Sequence, residues 1–184
     1  MSSYELPSSL NIGGTDYAIN ADFRSIIGIL EACEDPDWTD REKQEIMFEI
    51  LYKDFEQIPR EFREEACKKA ADFIDGGMRD KKNSPRLIDW EQDSRIIIPA
   101  VNKVAGMEVR STTFLHWWTF LGFFMEIGDG LFSQILAIRQ KKAKHKKLEK
   151  WEKEFERENA DMVGIRKRLS AEEKKEMAAL EKWL

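Results

Sequence analysis

Residues 114–127 read FLHWWTFLGFFMEI, and this stretch decides which kind of fold the chain can adopt. Most of its residues are Phe, Trp, Leu or Met, although 35% of the whole chain is charged. A spanning helix needs about 20 apolar residues, and Glu126 and Gly128 interrupt this run too early. We therefore expect no membrane span. The stretch is either a helix of the hydrophobic core or a helix that keeps an apolar surface for a partner.

The large side chains of this stretch fall on every side of a helix. They include Trp117, Trp118, Phe120, Phe123 and Phe124. A helix that is apolar all round lies in the centre of a core or between subunits. Burial in the core is the simpler interpretation. A small body offers few neighbours, however, and Trp is a common interface anchor, so both interpretations stay open.

Periodic apolar residues predict further helices on both sides of this stretch. The predicted helices lie near residues 23–33, 40–51, 59–74 and 89–105, and one more begins at Leu131. Thr39 and Glu42 have the spacing of a capping box at the start of the second helix. Pro99 should kink the fourth helix or mark a break in it. Residues 76–87 are predicted to form a polar loop.

The N-terminal residues have a different pattern. Two short β-prone runs flank Gly13-Gly14, which predicts a small β-hairpin. An isolated hairpin is only marginally stable, so we expect this one to pack on the helices.

Charge divides the chain into regions. Residues 1–138 have a net charge of −10, residues 139–150 of +6, and residues 151–184 of −1. Together with the periodic apolar patterns, this charge distribution predicts a mainly α protein with an acidic helical body at residues 1–138. This body is a compact domain of about six helices with a β-hairpin within residues 1–20. A basic segment and an amphipathic helical tail follow at residues 139–184.

Apolar residues are sparse in the tail. They form a narrow stripe of Leu148, Trp151, Phe155 and Met162. Ser170 and Glu173 have capping-box spacing, and a second stripe of Met177, Leu180 and Leu184 follows. Narrow stripes are typical of a seam against one surface rather than of burial in a globule.

Candidate catalytic residues are few. His116 has no partner at a metal-ligand or triad spacing, which favours a structural role, and His145 lies among lysines. The two cysteines have no metal-binding spacing, and no phosphate-binding glycine motif is present. We therefore expect no enzymatic activity, no cofactor and no metal site.

Two charged stretches admit functional interpretations. Asp89, Glu91 and Asp93 are expected on a solvated helix face or at a helix N-terminus, where the dipole favours them. The basic run at residues 139–150 is expected to be a solvated helix surface or a contact for an acidic partner. Nucleic-acid binding is the less expected interpretation, because the body of the chain is acidic.

Several of these motifs together resemble one protein family. They are Asp89-Trp90-Glu91-Gln92-Asp93, Asn102-Lys103-Val104, Leu115-His116-Trp117-Trp118, Leu131-Phe132-Ser133-Gln134-Ile135 and Arg139, with LPSSLNIGGTDYAINADFR at residues 6–24 and DREKQEIMFEILY at residues 40–52. In these residues the chain resembles the bacteriophage gene-product-fifteen family of tailed phages and prophages of Gram-positive bacteria. The resemblance covers nearly the whole chain and is weakest after about residue 165.

The resemblance implies a function that composition does not give. Such proteins are similar to tail assembly chaperones, which bind the tape-measure protein before the tail tube polymerises around it. The implied location is the cytoplasm of the infected or lysogenic host, with the protein absent from the mature virion. A minor structural component of the tail or virion is the alternative, and a nucleic-acid-binding helical protein is a more distant one.

The expected binding surface is an apolar groove for a helix of the tape-measure protein or for a second copy of the chain. We predict that its residues are Trp117, Trp118, Phe123, Phe124, Leu131, Phe132 and Ile135. The tail stripe of Leu148, Trp151, Phe155 and Met162 would cover this groove or the next subunit.

Overall fold

The computed structural model describes residues 4–76, 85–166 and 168–181, except for the side chains of residues 174, 178, 180 and 181. Within these residues the chain forms nine α-helices and one two-stranded antiparallel sheet, which confirms the mainly α class. No helix in this part of the chain combines the length and the apolar character that crossing a membrane requires. Most of the predicted loop at 76–87, the side chain of Leu180 and all of Leu184 lie outside the described residues.

The predicted hairpin is present and packs on a helix, as expected. Strands β1 (Ser9–Ile12) and β2 (Thr15–Ala18) are joined by two glycines with positive φ, 56° at Gly13 and 83° at Gly14. Two consecutive residues with positive φ match the right-handed twist of a hairpin. Ile12 is buried, and the backbone N–H of Gly13 donates to Oε2 of Glu65 at 3.2 Å.

The first three helices are α1 (Phe23–Glu34), α2 (Asp40–Leu51) and α3 (Arg63–Ile74). The capping box before α2 is confirmed: the N–H of Thr39 donates to Glu42 at 2.7 Å, and the N–H of Glu42 donates to Thr39 Oγ1 at 3.3 Å. Two 3-10 turns, Phe55–Gln57 and Arg60–Phe62, lead from α2 to α3.

Helix α4 (Ser94–Ala105) begins later than the sequence predicts. Residues 90–93 form a turn, because the Asp93 carboxylate accepts the N–H of Asp89 at 3.0 Å and the Asp89 carboxylate accepts the N–H of Gln92 at 2.8 Å. These bonds hold the backbone in a tight turn before the helix. The helix then continues through Pro99 and ends at Gly106, whose φ is 68°.

Helices α5 (Trp117–Met125) and α6 (Leu131–Ala143) follow a 3-10 turn at Val109–Ser111. Helix α5 packs on α1 and α4, and α6 packs on α4. Helix α5 is buried on one side and open on another. Trp117 and Phe120 are buried, whereas Met125 is 57% exposed. Helix α6 runs across residue 138, and the division of the chain there stays a prediction.

The tail contains α7 (Lys150–Glu158), α8 (Ala160–Val163) and α9 (Ala171–Glu181). A second, small core of Ile135, Ile138 and Val163 lies between α6 and α8. From the predicted tail stripe, Leu148, Phe155 and Met162 pack on this core, whereas Trp151 is 54% exposed. The capping box at Ser170 and Glu173 is confirmed, with N–H bonds of 2.9 and 3.2 Å in the two directions.

Candidate functional site

Two predicted groove residues, Trp117 and Trp118, hold the end of a helix. Nε1 of Trp117 donates to the carbonyl of Ile74 at 2.7 Å, and Nε1 of Trp118 donates to the carbonyl of Phe73 at 2.8 Å. The last carbonyls of a helix have no partner within the helix. The paired indoles therefore cap the C-terminus of α3. Trp117 is buried in the main core, and Trp118 is half-buried beside Phe73.

His116 is a structural histidine, as predicted. Its Nδ1 accepts the N–H of Trp118 at 3.0 Å and caps α5. Because Nδ1 accepts, the proton lies on Nε2, which faces the carbonyl of Pro7 at 3.0 Å. One imidazole therefore ties the N-terminal segment to the start of α5.

The backbone around His116 joins two helix N-termini. The N–H of Trp117 donates to the carbonyl of Ala21 at 2.7 Å, and the N–H of Phe23 donates to the carbonyl of Leu115 at 3.0 Å. Asp22 caps α1 and also accepts the N–H of Leu115 at 3.0 Å. The LHWW motif thus forms a joint between α1, α3 and α5.

The remaining predicted groove residues differ widely in exposure. Phe132 and Ile135 are buried in the two cores, and Phe123 and Phe124 are half-buried. Leu131 is 44% exposed and offers the most apolar surface of the seven residues. The structure thus places only part of the predicted set where another molecule could touch it, and the assignment of these residues to a partner stays a prediction.

An open apolar groove lies beside Leu131. Its volume is about 490 Å³, and one wall is the outer face of α4. The connection between α5 and α6 forms the other wall. The apolar lining consists of Ile96, Pro99, Ala100, Val104, Ile127, Leu131 and Phe132. Sequence reasoning found Leu131 and Phe132 but missed the α4 wall, because Pro99 was interpreted only as a helix irregularity.

Charges of opposite sign border this α4 groove. Arg95 and Lys103 lie on the α4 side, whereas Glu126 and Asp129 lie on the side of the α5–α6 connection. Arg95 and Lys103 are eight residues apart, which is about 12 Å along a helix. The groove therefore suits about two turns of an amphipathic helix with charged flanks.

A buried ion pair fixes α6 behind this groove. The guanidinium of Arg139 binds Asp93 through both oxygens, at 2.6 and 2.9 Å, and both side chains are at most 3% exposed. It also donates to the carbonyls of Leu87, Met162 and Val163. Of the two interpretations of Asp89 and Asp93, the solvated helix face is wrong, since they are 2% and 1% exposed, whereas Asp93 does lie at a helix N-terminus, as the N-cap of α4. The prediction of a solvated basic run fails in the same way at Arg139, because its cation is buried by this pairing.

The comparison with protein families gives the family. The family model described as Bacteriophage Gp15 protein matches residues 3–163. The chain belongs to the Bacteriophage Gp15 protein family. No curated protein and no solved structure matched it. The match confirms the family resemblance of the LHWW, LFSQI and Asp89–Asp93 motifs, and it ends at Val163, the last residue of α8.

Beyond the matched residues, this Gp15 family member has a C-terminal strap, which we define as residues 164–166 and 168–170. Arg168 donates to Asp89 at 2.9 Å and to Glu34 at 3.3 Å. Gln92 donates to the carbonyls of Asp161 and Gly164 and accepts the N–H of Arg166 at 2.9 Å. The strap is therefore fixed to the body where α1 ends and α4 begins.

The pKa values of two carboxylates beneath the strap, Glu34 and Asp89, are shifted in opposite directions. Burial raises the pKa of Glu34, despite Arg86 and Arg168 nearby. Burial also opposes ionisation of Asp89, but hydrogen bonds from Arg168 and from the Gln92 N–H prevail and hold its pKa below the usual value. Asp89 thus remains ionised in mild acid and keeps its ion pair with Arg168.

In the basic run at residues 139–150 of this Gp15 protein, some lysines form ion pairs and others are exposed. Lys141 donates to both oxygens of Glu152, at 2.7 and 2.8 Å, and Lys142 pairs with Glu156. Lys144, Lys146 and Lys147 are exposed in the turn before α7. Among the described residues, no group of three or more His, Cys, Asp or Glu side chains is arranged to hold a metal ion.

Proposed function

We propose that this Gp15 family protein is a tail assembly chaperone that holds the phage tape-measure protein soluble before the tail tube polymerises. Its place of action would be the cytoplasm of the infected or lysogenic host, and the mature virion would not contain it. Membership of the Bacteriophage Gp15 family supports a phage role. The α4 groove supports the more specific role of binding a helical client.

The α4 groove is the single observation that carries the client-binding proposal. Its volume is about 490 Å³, and seven of its lining residues are apolar. Val104 and Leu131 on its walls are 36% and 44% exposed, so apolar surface is open to solvent there. An apolar client helix that covered these side chains would gain about 25 cal/mol for each Å² buried.

The borders of the groove define the client more closely. Arg95 and Lys103 would attract acidic residues on one flank of the client helix, and Glu126 and Asp129 would attract basic residues on the other. Such pairing contributes more to orientation and specificity than to affinity. We therefore propose an amphipathic helix of the tape-measure protein with acidic and basic flanks.

The proposed role requires binding alone. In this proposal the protein is not an enzyme and uses no cofactor or metal. Self-association belongs to the proposal, because a very long client would be covered by several copies.

Co-expression with the tape-measure protein of the same phage tests the proposal. We expect the tape-measure protein to stay in the soluble fraction only when the Gp15 protein is present, and light scattering should then give a complex with several Gp15 copies. Mass spectrometry of purified virions should find the tape-measure protein without the Gp15 protein. Stoichiometric Gp15 protein in the virions would instead establish the structural alternative.

A further inference from the structure

We propose that helix α9 is an arm that docks in the α4 groove of a second copy of this chain. This inference rests on the proposed function in one respect: it gives the client groove an occupant while no client is bound. The observations that carry it are the fixed base of α9, the exposure of Met177, and the charge along one flank of the helix.

The base of α9 is fixed to the body. The N–H of Ala171 donates to Oδ1 of Asp37 at 2.6 Å, in the connection between α1 and α2. Immediately before it, the C-terminal strap is held by Arg168, whose guanidinium contacts Glu34, Asp89 and Glu91. The direction in which α9 leaves the body is therefore set by hydrogen bonds and ion pairs at its first turn.

The described side chains of α9 are mostly exposed to solvent. Met177 is 49% exposed, and Glu172, Lys175, Glu176 and Ala179 are also exposed. The helix has 11 residues, whereas an isolated helix shorter than about 12–15 residues is marginal in water. A helix of this length therefore needs a packing surface, and the exposed Met177 is a side chain that could meet one.

One flank of α9 complements the α4 groove. Glu172 and Glu176 are four residues apart and line one flank of the helix, about 100–140° around the axis from Met177. The α4 border of the groove has Arg95 and Lys103 beside an apolar wall. Met177 would enter the groove while the two glutamates face the two cations, which is the charge pattern proposed for the client helix.

A second copy is the occupant that keeps the base contacts intact. Met177 is exposed in the same conformation in which the strap and Asp37 hold the base, so this conformation does not fill the groove of its own chain. Docking in that groove would require α9 to leave its present position. Docking on a second copy needs no such movement.

The arm is tested with the purified chain alone, without tape-measure protein. Light scattering after size-exclusion chromatography should give a mass of at least two chains, against 21.6 kDa for one. Met177→Lys should weaken this association by at least about tenfold, since it removes the apolar anchor. Met107→Lys, at an exposed methionine outside both α9 and the groove lining, is the matched control and should leave the association unchanged.

A mixing experiment identifies the groove as the acceptor. Val104→Lys blocks the groove but keeps the arm, whereas Met177→Lys blocks the arm but keeps the groove. Each variant alone should be a monomer, and an equimolar mixture should form a 1:1 complex because one arm and one groove remain. A monomeric wild-type protein, equal effects of Met177→Lys and Met107→Lys, or no complex in the mixture would each overturn the proposal.

The outcomes separate this inference from the proposed function. If the wild-type protein is a monomer but retains the tape-measure protein, only the arm is wrong. If it associates through α9 but does not retain the tape-measure protein, the arm is supported and the chaperone role fails.

Discussion

At the residue scale, the guanidinium of Arg139 holds several separate segments of the chain together. All five of its N–H groups have an acceptor, two on Asp93 and three on backbone carbonyls. These partners come from the segment before α4 and from the end of α8. A single guanidinium therefore links α6 to both.

Replacement of Arg139 should be among the most destabilising changes in the chain. Arg139→Ala leaves the Asp93 carboxylate buried without a cation, which costs about 3–5 kcal/mol. Urea unfolding followed by circular dichroism measures the loss. Lys142→Ala is the control on the same helix, because its pair with Glu156 is solvent-exposed and should contribute at most about 1 kcal/mol. Equal losses in the two variants would contradict the importance given to the buried pair.

The two turn glycines provide a second comparison at this scale. Both have positive φ, but a Cβ on Gly13 would lie 2.8 Å from the ring of Phe62, whereas a Cβ on Gly14 would meet nothing within 4 Å. The positive φ costs either alanine about 1–2 kcal/mol, and overpacking against Phe62 adds about 1 kcal/mol or more at Gly13. Thermal unfolding of Gly13→Ala and Gly14→Ala should therefore rank Gly13→Ala as the less stable. The reverse order would mean that the hairpin does not pack on Phe62 in this way.

Glu108 gives a pH-dependent test. Hydrogen bonds from Arg110, and a smaller contribution from Asn102, lower the pKa of Glu108 from 4.5 to about 2. The stabilisation by this carboxylate is complete above pH 4.5 and is lost as the pH falls through about 2. Glu108→Gln should therefore be less stable than the wild type at neutral pH, and the difference in free energy of unfolding should shrink over this acidic window. A difference independent of pH would show that the charge is not involved.

At the scale of elements, the aromatic stretch 114–127 combines two roles. Its first residues build the joint at His116 and cap α3 with two indoles, so they act in packing. Its last residues lead into the connection that forms one wall of the α4 groove. The stretch is therefore core at one end and open surface at the other.

Loss of one indole should loosen the end of α3 specifically. Trp118→Phe keeps a ring beside Phe73 but removes the donor to the Phe73 carbonyl, at a cost of about 1 kcal/mol. Hydrogen exchange should become faster in the last turn of α3 and stay unchanged in α2. Trp151→Phe, at an exposed tryptophan on α7, is the control and should change neither. Unchanged hydrogen exchange in α3 would show that Trp118 does not cap this helix.

The elements that sequence predicts well are those set by neighbouring residues. The Gly13-Gly14 hairpin and the capping boxes at Thr39 and Ser170 all depend on groups within a few residues. The burial of Asp93 was missed because Arg139, its partner, lies 46 residues away. Local pattern cannot show which charges a fold will bring together. The α4 groove was missed for the same reason, since its two walls are separate in sequence.

At the scale of the whole molecule, two cores meet at α4 and α6. The main core contains the hairpin, α1 to α5 and the start of α6, and the small core joins the rest of α6 to the tail. The α4 groove lies beside the start of α6. The C-terminal strap contacts the turn before α4, through the bond from the Arg166 N–H to Gln92. The tail is thus attached to the same helix that offers the binding surface. In the proposed arrangement, a client in the groove would compete with the α9 arm of a second copy.

The most direct test of the central claim is co-purification of the tape-measure protein with groove variants of the Gp15 chain. Wild-type protein and Met107→Lys, an exposed apolar residue outside the groove lining, should retain equal amounts of the tape-measure protein. Val104→Lys, at similar exposure on the groove wall, should lose most of it while its circular dichroism and unfolding midpoint stay unchanged. Equal retention by all three would contradict the claim that the α4 groove holds the client.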